Sequence, residues 1–298
     1  ILYLYQLYEI LGLDPIKWFA SYLSSEKGED GFGKAQVWLM GIIAASAILI
    51  FIFQDKNKIL SYSFFLLFGI IVFSLLVRGN RNFLMLCLLP ILVLILMQTK
   101  NLKPGLVMLL FFGFIFSGQL IDIIRAVGIY SVFSGEQINP EVWLKGISAG
   151  EFGATIRSFD FYLNNEFKFD RLLGKSYLVD PFLNMITTLG LSFDVLSYKL
   201  AVAMSPRGVL FGYGFSPQLE SILNFGSIGG PLVYFFLGFF IRLLDVIKTK
   251  NIIAFATSLY LLPIFVNMQR IDFAVVIKLS AIPIFVIFLI VILSRVRY

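Results

Sequence analysis

Glu220 stands in a run of residues suited to chemistry. Gly212, Gly214, Phe215, Ser216 and Pro217 precede it, Asn224 and Gly226 follow, and Gly229, Gly230 and Pro231 open a long apolar stretch. A carboxylate there can take or give a proton where polar sequence turns apolar. The chain has no histidine, so the usual proton carrier near neutral pH and the commonest metal ligand are both missing. Acid–base work falls to Asp, Glu, Tyr or Lys. The one cysteine, Cys87, lies in an apolar run, which excludes an intrachain disulfide and a cysteine-based zinc site. A metal site of carboxylates and carbonyls alone stays open. Asp160 is the second candidate base. It belongs to the series Arg157, Asp160, Asn164, Lys168 and Arg171, whose spacings of 3 or 4 place all five on one face of a helix. The plainer reading of that series is a solvated face of ion pairs, and Asn164 with Asn165 argues against a long helix.

The elements that must hold these residues are set by hydropathy. Apolar residues make up 59% of the 298, with Phe at 33 dominating Tyr at 13 and Trp at 3, and the mean hydropathy is +0.89. A helix crossing a hydrocarbon core about 30 Å thick needs roughly 20 mostly apolar residues. Seven stretches meet or approach that length: 36–53, 60–77, 83–97, 105–121, 230–246, 252–268 and 273–293. The expected fold is therefore an all-α polytopic membrane protein, a single integral membrane domain over 1–298 with a long region, 122–228, between its fourth and fifth spans. Ile1 to Tyr8 reads as the end of a helix cut short, so a further N-terminal part is expected upstream.

Basic residues of membrane proteins collect in cytoplasmic loops. With 122–228 outside, the inner loops carry nine: Lys56, Lys58, Lys100, Lys103, Arg242, Lys248, Lys250, Arg295 and Arg297. The short outer loops carry three, Arg78, Arg81 and Arg270. That asymmetry accounts for the net charge of +6 without a nucleic-acid partner. The short outer loops use Arg alone where the inner loops use mostly Lys. Arg78, Arg81, Arg125, Arg157, Arg171, Arg207 and Arg270 bring seven planar forks to the outer side, and such forks match phosphate oxygens in pairs. Each one taken singly can also be explained by snorkelling or by pairing with a nearby Asp or Glu. Together they point to an anionic ligand near the outer leaflet.

The outer region runs 107 residues, too long for a plain connection. Stretches 152–178 and 181–204 mix Phe, Leu, Tyr and Val with charges, which suits helices lying on or dipping into the membrane surface. Ser216 followed by Pro217 predicts an N-cap and first helical residue. Glu220 then falls at the first turn, where the helix dipole alone would favour it by about 0.3 to 1 kcal/mol. Its position at a membrane boundary argues for more, because ionisable groups there are expensive and tend to be functional. Gly226, Gly229 and Gly230 allow close helix contact. Lys278, six residues into the last span, either snorkels outward as an anchor or faces the bundle interior.

Three pieces of this chain resemble the bacterial oligosaccharide repeat-unit polymerases, the Wzy-type O-antigen polymerase family. They are Arg78, Gly79, Asn80 and Arg81 between two spans; Gly174, Lys175, Ser176, Tyr177 and Leu178 with Pro181; and Gly214 to Glu220 with Asn224, Phe225, Gly226, Gly229 and Gly230. Family members usually have more spans, about ten or more. The resemblance implies a glycosyltransferase in the bacterial inner membrane, multi-pass, with its active site facing the periplasm. It would polymerise undecaprenyl-pyrophosphate-linked oligosaccharides, with a chain-length regulator as a partner and no cofactor. In that scheme Glu220, or Asp160 in its place, is the general base, held ionised by a neighbouring cation. Arg78, Arg81, Arg157, Arg171, Arg207 and Arg270 are the pyrophosphate candidates, with Arg157 and Arg207 the preferred pair. The rivals are a lipid-linked oligosaccharide flippase and a ligase that moves finished polysaccharide. Against the flippase, no internal repeat is visible and the charges gather at one face.

Overall fold

The computed structural model describes residues 32–54, 58–77, 81–98, 105, 151–164, 171–187, 195–204, 215–268 and 271–296. Among these residues there are helices and no strands. In chain order they are α1 (Phe32–Ile52), α2 (Lys58–Val77), α3 (Arg81–Gln98), α4 (Glu151–Leu163), α5 (Lys175–Leu178), α6 (Asp180–Thr187), α7 (Leu196–Met204), α8 (Pro217–Phe225), α9 (Gly229–Ile247), α10 (Ile252–Asn267) and α11 (Phe273–Val296). Helices occupy six of the seven stretches expected from hydropathy. The remaining stretch, 105–121, lies outside the described residues except for Gly105, as does the stretch from Ile1 to Tyr8.

Among the described residues, three segments are long and apolar enough to cross a membrane: Lys58–Leu76, Pro217–Ile247 and Phe273–Leu293. Trp38–Ile52, Asn82–Gln98 and Ile252–Asn267 are apolar but shorter. The outward faces fit lipid better than water. On α2, Ile59, Tyr62, Leu66, Ile70 and Phe73 are exposed, and on α9 Phe235, Phe236, Phe239 and Phe240 are. Apolar patches of that extent are rare on soluble monomers.

The bundle is built on α1. Its small residues Ala44, Ala45 and Ala47 are fully buried beside Met40 and Ile48, so neighbouring backbones can come close. α11 takes that place, with Pro283 seated over Gly41. Pro283 has no N–H for the carbonyl of Leu279 one turn earlier. The Tyr260 hydroxyl of α10 donates to that carbonyl at 2.7 Å, satisfying a group that lipid could not.

The same contacts set the ends. Gly41 beside Leu279 and Pro283 puts the first half of α1 next to the first half of α11. Asn267, closing α10, donates to Asn82 at the start of α3 at 3.3 Å. The Phe273 N–H, opening α11, donates to Glu220 at 2.8 Å. The starts of α3, α9 and α11 and the end of α10 thus share one end with α8. At the other end Asn251 caps α10 by accepting from the Ile253 N–H at 2.9 Å, beside half-buried Lys248 and exposed Lys250.

Candidate functional site

Ser216 caps α8 as its sequence predicts. It has extended backbone (φ −100°, ψ 146°) and its hydroxyl accepts from the Leu219 N–H, with Pro217 in the first turn. The helix runs only to Phe225, because Gly226 takes a positive φ of 67°. A helix end leaves carbonyls without intrahelical donors. Here the chain between residues 172 and 174 supplies them: the Leu172 N–H donates to the Leu223 carbonyl at 3.1 Å and the Leu173 N–H to that of Asn224 at 3.2 Å. The Gly174 N–H donates to the Asn224 side chain, Oδ1, at 2.9 Å.

Asn224 spends the rest of its amide inward, with Nδ2 donating to Ser176 Oγ at 2.7 Å and to the Glu220 carbonyl at 2.8 Å. The Ser176 hydroxyl donates to Glu220 Oε1 at 2.7 Å, and Phe273 N–H reaches Oε2. Glu220 is only 1% exposed. A buried carboxylate is expensive without donors, and here each oxygen has one. Among the described residues, the charges that bear on Glu220 are the carboxylates of Asp272 and Asp180. Asp272 itself caps α11, accepting from the Val275 N–H at 2.7 Å. Asp180 holds the start of α7 by accepting from the Leu196 N–H at 2.9 Å. Burial pushes the Asp180 carboxyl above the ordinary carboxylate value, with the Leu196 N–H, Lys199 and Lys175 pulling it back.

Tyr177 walls the cluster, stacked on Phe225 at 5.9 Å between ring centres and edge-on to Phe273 at 5.3 Å. Among the described residues its buried hydroxyl has no hydrogen-bond partner. Burial, then the charge of Glu220, raise the phenol well above its ordinary range, so it stays protonated. Lys278 on α11 donates to Asn184 of α6 at 3.3 Å, the inward-facing alternative of the two open for it.

The other sequence candidates fall as follows. Asp160 is exposed on α4, which packs through Phe159, Phe161 and Tyr162 on a small core of Leu196, Leu200, Phe215, Leu219 and Leu223. Among the described residues, no hydrogen bond joins Asp160 to the Glu220 cluster. Arg171 is exposed, and its guanidinium lies across Gly226. It does not share a helix with Asp160: α4 ends at Leu163 and residue 171 is non-helical, so the five-residue face does not extend that far. Arg81 begins α3 and Arg157 lies on α4, each described only in its backbone. Arg78, Arg207 and Arg270 lie outside the described residues.

Gly229 lets α9 start directly against α8. A Cβ there would overlap the carbonyl of Ser221, whereas one at Gly230 would meet only the Ser221 hydroxyl at 3.9 Å. Gly229→Ala forces backbone against backbone and is expected to cost about 1 to 3 kcal/mol, as overpacking usually does. Thermal unfolding in detergent should show a clear fall for Gly229→Ala and little change for Gly230→Ala. Equal melting of the two variants would contradict this contact.

Asn224, Ser176 and the Phe273 N–H are the members of the cluster that residue-type reasoning passes over. Two of the motif stretches are bound together here, Gly174 to Asn224 and Ser176 to Glu220 and Asn224. No curated protein and no solved structure matches the chain. The family model for O-antigen polysaccharide polymerase Wzy matches residues 2–298, taking in both stretches and all the apolar helices. The chain belongs to the O-antigen polysaccharide polymerase Wzy family.

Proposed function

We propose that the protein is a glycosyltransferase that polymerises undecaprenyl-pyrophosphate-linked oligosaccharide repeat units into O-antigen or a related surface polysaccharide. It works at the periplasmic face of the bacterial inner membrane. The observation that carries this reading is the family match over residues 2–298. In the proposed reaction a hydroxyl of the acceptor sugar attacks the anomeric carbon of the growing chain. A new C–O bond forms, the bond to the lipid pyrophosphate breaks, and the hydroxyl proton passes to a general base. Outside the cytoplasm there are no nucleotide sugars, so the donor must bring its own leaving group, and lipid pyrophosphate is such a donor.

Glu220 is the proposed base. The Ser176 hydroxyl now donates to Oε1, and turning it away would let an acceptor hydroxyl take the same place. Asp160, exposed on α4, is the alternative. The departing pyrophosphate is held by arginines drawn from Arg78, Arg81, Arg157, Arg171, Arg207 and Arg270, whose fixed positive charge stabilises the leaving group without a metal. A chain-length regulator protein is the proposed partner.

About seven spans and a periplasmic 122–228 region complete the proposal. The end bearing Glu220 faces outward because Lys58, Lys248 and Lys250 lie at the other. Single cysteines at Leu178, exposed beside the cluster, and Lys250, exposed at the far end, in a Cys87→Ser background, test the orientation. A membrane-impermeant thiol reagent should label intact spheroplasts at 178 and not at 250, and the reverse pattern overturns it. The function is tested by glycan analysis of cells lacking the protein. Single repeat units in place of a ladder are expected. Units trapped on the cytoplasmic side would mean a flippase, and full-length chains left on the lipid carrier would mean a ligase.

A further inference from the structure

The turn that precedes Ser176 holds Leu173 in a conformation a leucine does not favour. Leu173 has φ +47° and Gly174 φ +88°. A left-handed leucine persists only where its surroundings over-determine it. Those surroundings are the end of α8: three successive N–H groups, of Leu172, Leu173 and Gly174, are taken up by the Leu223 carbonyl, the Asn224 carbonyl and Asn224 Oδ1. Asn224 is fully buried. Its amide must accept from Gly174 and donate to Ser176 and to the Glu220 carbonyl at once, a set of bonds that neither Asp nor Leu can make.

Arg171 is the next residue out along this stitched segment. Its Nη2, Cζ and Nε lie 3.5, 3.6 and 3.9 Å from where a Gly226 Cβ would stand. The guanidinium therefore lies along the bare glycine while the side chain remains exposed. We infer that Asn224 is a positioning residue for Arg171: by locking the 172–174 turn to the end of α8 it holds the Arg171 fork over Gly226, ready to grip a diphosphate group. The inference rests on the diphosphate-linked substrate proposed above. It adds a role for the Asn224 to Gly226 motif and singles out Arg171 among the six arginine candidates.

The test is a double-mutant cycle on the full chain in detergent, with farnesyl diphosphate as the probe and farnesol as the control. Asn224→Asp keeps the acceptor for Gly174 and loses the amide donor. It is expected to weaken farnesyl diphosphate binding about tenfold in the parent and to add nothing in an Arg171→Ala background, since residues in one network are non-additive. A merely structural role for Asn224 would cost the same factor in both backgrounds, and that result overturns the inference. So does a parent that binds farnesyl diphosphate no better than farnesol, or an Arg171→Ala chain that binds as tightly as the parent. If Asn224→Asp fails to fold, Gly174→Ala strains the same turn at φ +88° while leaving Glu220, Ser176 and Asn224 in place, and the same non-additivity is expected. Polymerisation of lipid-linked repeat units is measured alongside. A non-additive cycle in a chain that does not polymerise sinks the polymerase reading and keeps the inference; an additive cycle in a polymerising chain does the opposite.

Discussion

Replacing Glu220 by Gln is expected to lower turnover roughly 10² to 10⁴-fold, the usual loss with a general base, while the protein still folds and inserts. The geometry makes this substitution informative. Gln keeps a carbonyl oxygen to accept from the Phe273 N–H, and the Ser176 hydroxyl, now donating at 2.7 Å, can turn to accept from the new amide. The joint between α5, α8 and α11 survives and only the proton acceptor is lost. Were Glu220 no more than a charge favoured by the helix dipole, the change would cost at most about 1 kcal/mol of stability and leave activity close to normal. Glu220→Ala does not separate these readings. It strips the acceptors from two buried donors, at about 1 to 3 kcal/mol each, and would lower activity through misfolding alone. Turnover of purified lipid-linked repeat units by the Gln variant, measured with its thermal stability in detergent, decides. Near-normal turnover removes Glu220 from the chemistry and leaves Asp160 as the base.

The parts of this molecule that were legible in its sequence are those governed by local or one-dimensional rules. Hydropathy marks where the apolar helices run, because a bilayer demands length and composition and nothing subtler. Ser216 and Pro217 mark the start of α8 because a cap involves residues only three apart. Gly229 could be suspected of close contact, although its partner, Ser221, could not be named. The cluster around Glu220 was not legible. Ser176 lies 44 residues from Glu220 and Phe273 lies 53 away, and Phe273 contributes a backbone N–H that almost any residue type would carry. Arg171 misled the periodicity argument for a physical reason. The open carbonyls at the end of α8 take up the N–H groups of Leu172 and Leu173, so this segment is spent on tertiary bonds instead of a helix. The paired asparagines at 164 and 165 were the available sign that α4 would stop short.

Arg171→Lys is expected to recover little of what Arg171→Ala loses, although the charge is kept. An arginine paired with phosphate makes two parallel charge-assisted bonds in a fixed plane, whereas lysine offers a compact, strongly hydrated point charge on a flexible stem. The plane matters at this position: the guanidinium lies along Gly226 within 3.5 to 3.9 Å of the missing Cβ, a slot that fits a flat group and gives an ammonium nothing to lie against. A hydrogen bond to a charged group is worth about 1.5 to 3 kcal/mol, so loss of one arm of the fork should reduce kcat/KM for lipid-linked repeat units by roughly 10 to 100-fold. The protein's melting temperature should hardly change, because Arg171 is exposed and surface substitutions are usually worth less than about 0.5 kcal/mol. The same Lys substitutions at Arg157 and Arg207 show whether those arginines share the grip on the pyrophosphate. If Arg171→Lys polymerises at the parental rate, a positive charge at the outer end is sufficient and bidentate recognition at Arg171 is wrong. If Lys and Ala are equally impaired while both fold, the fork itself, not its charge, is what the leaving group requires.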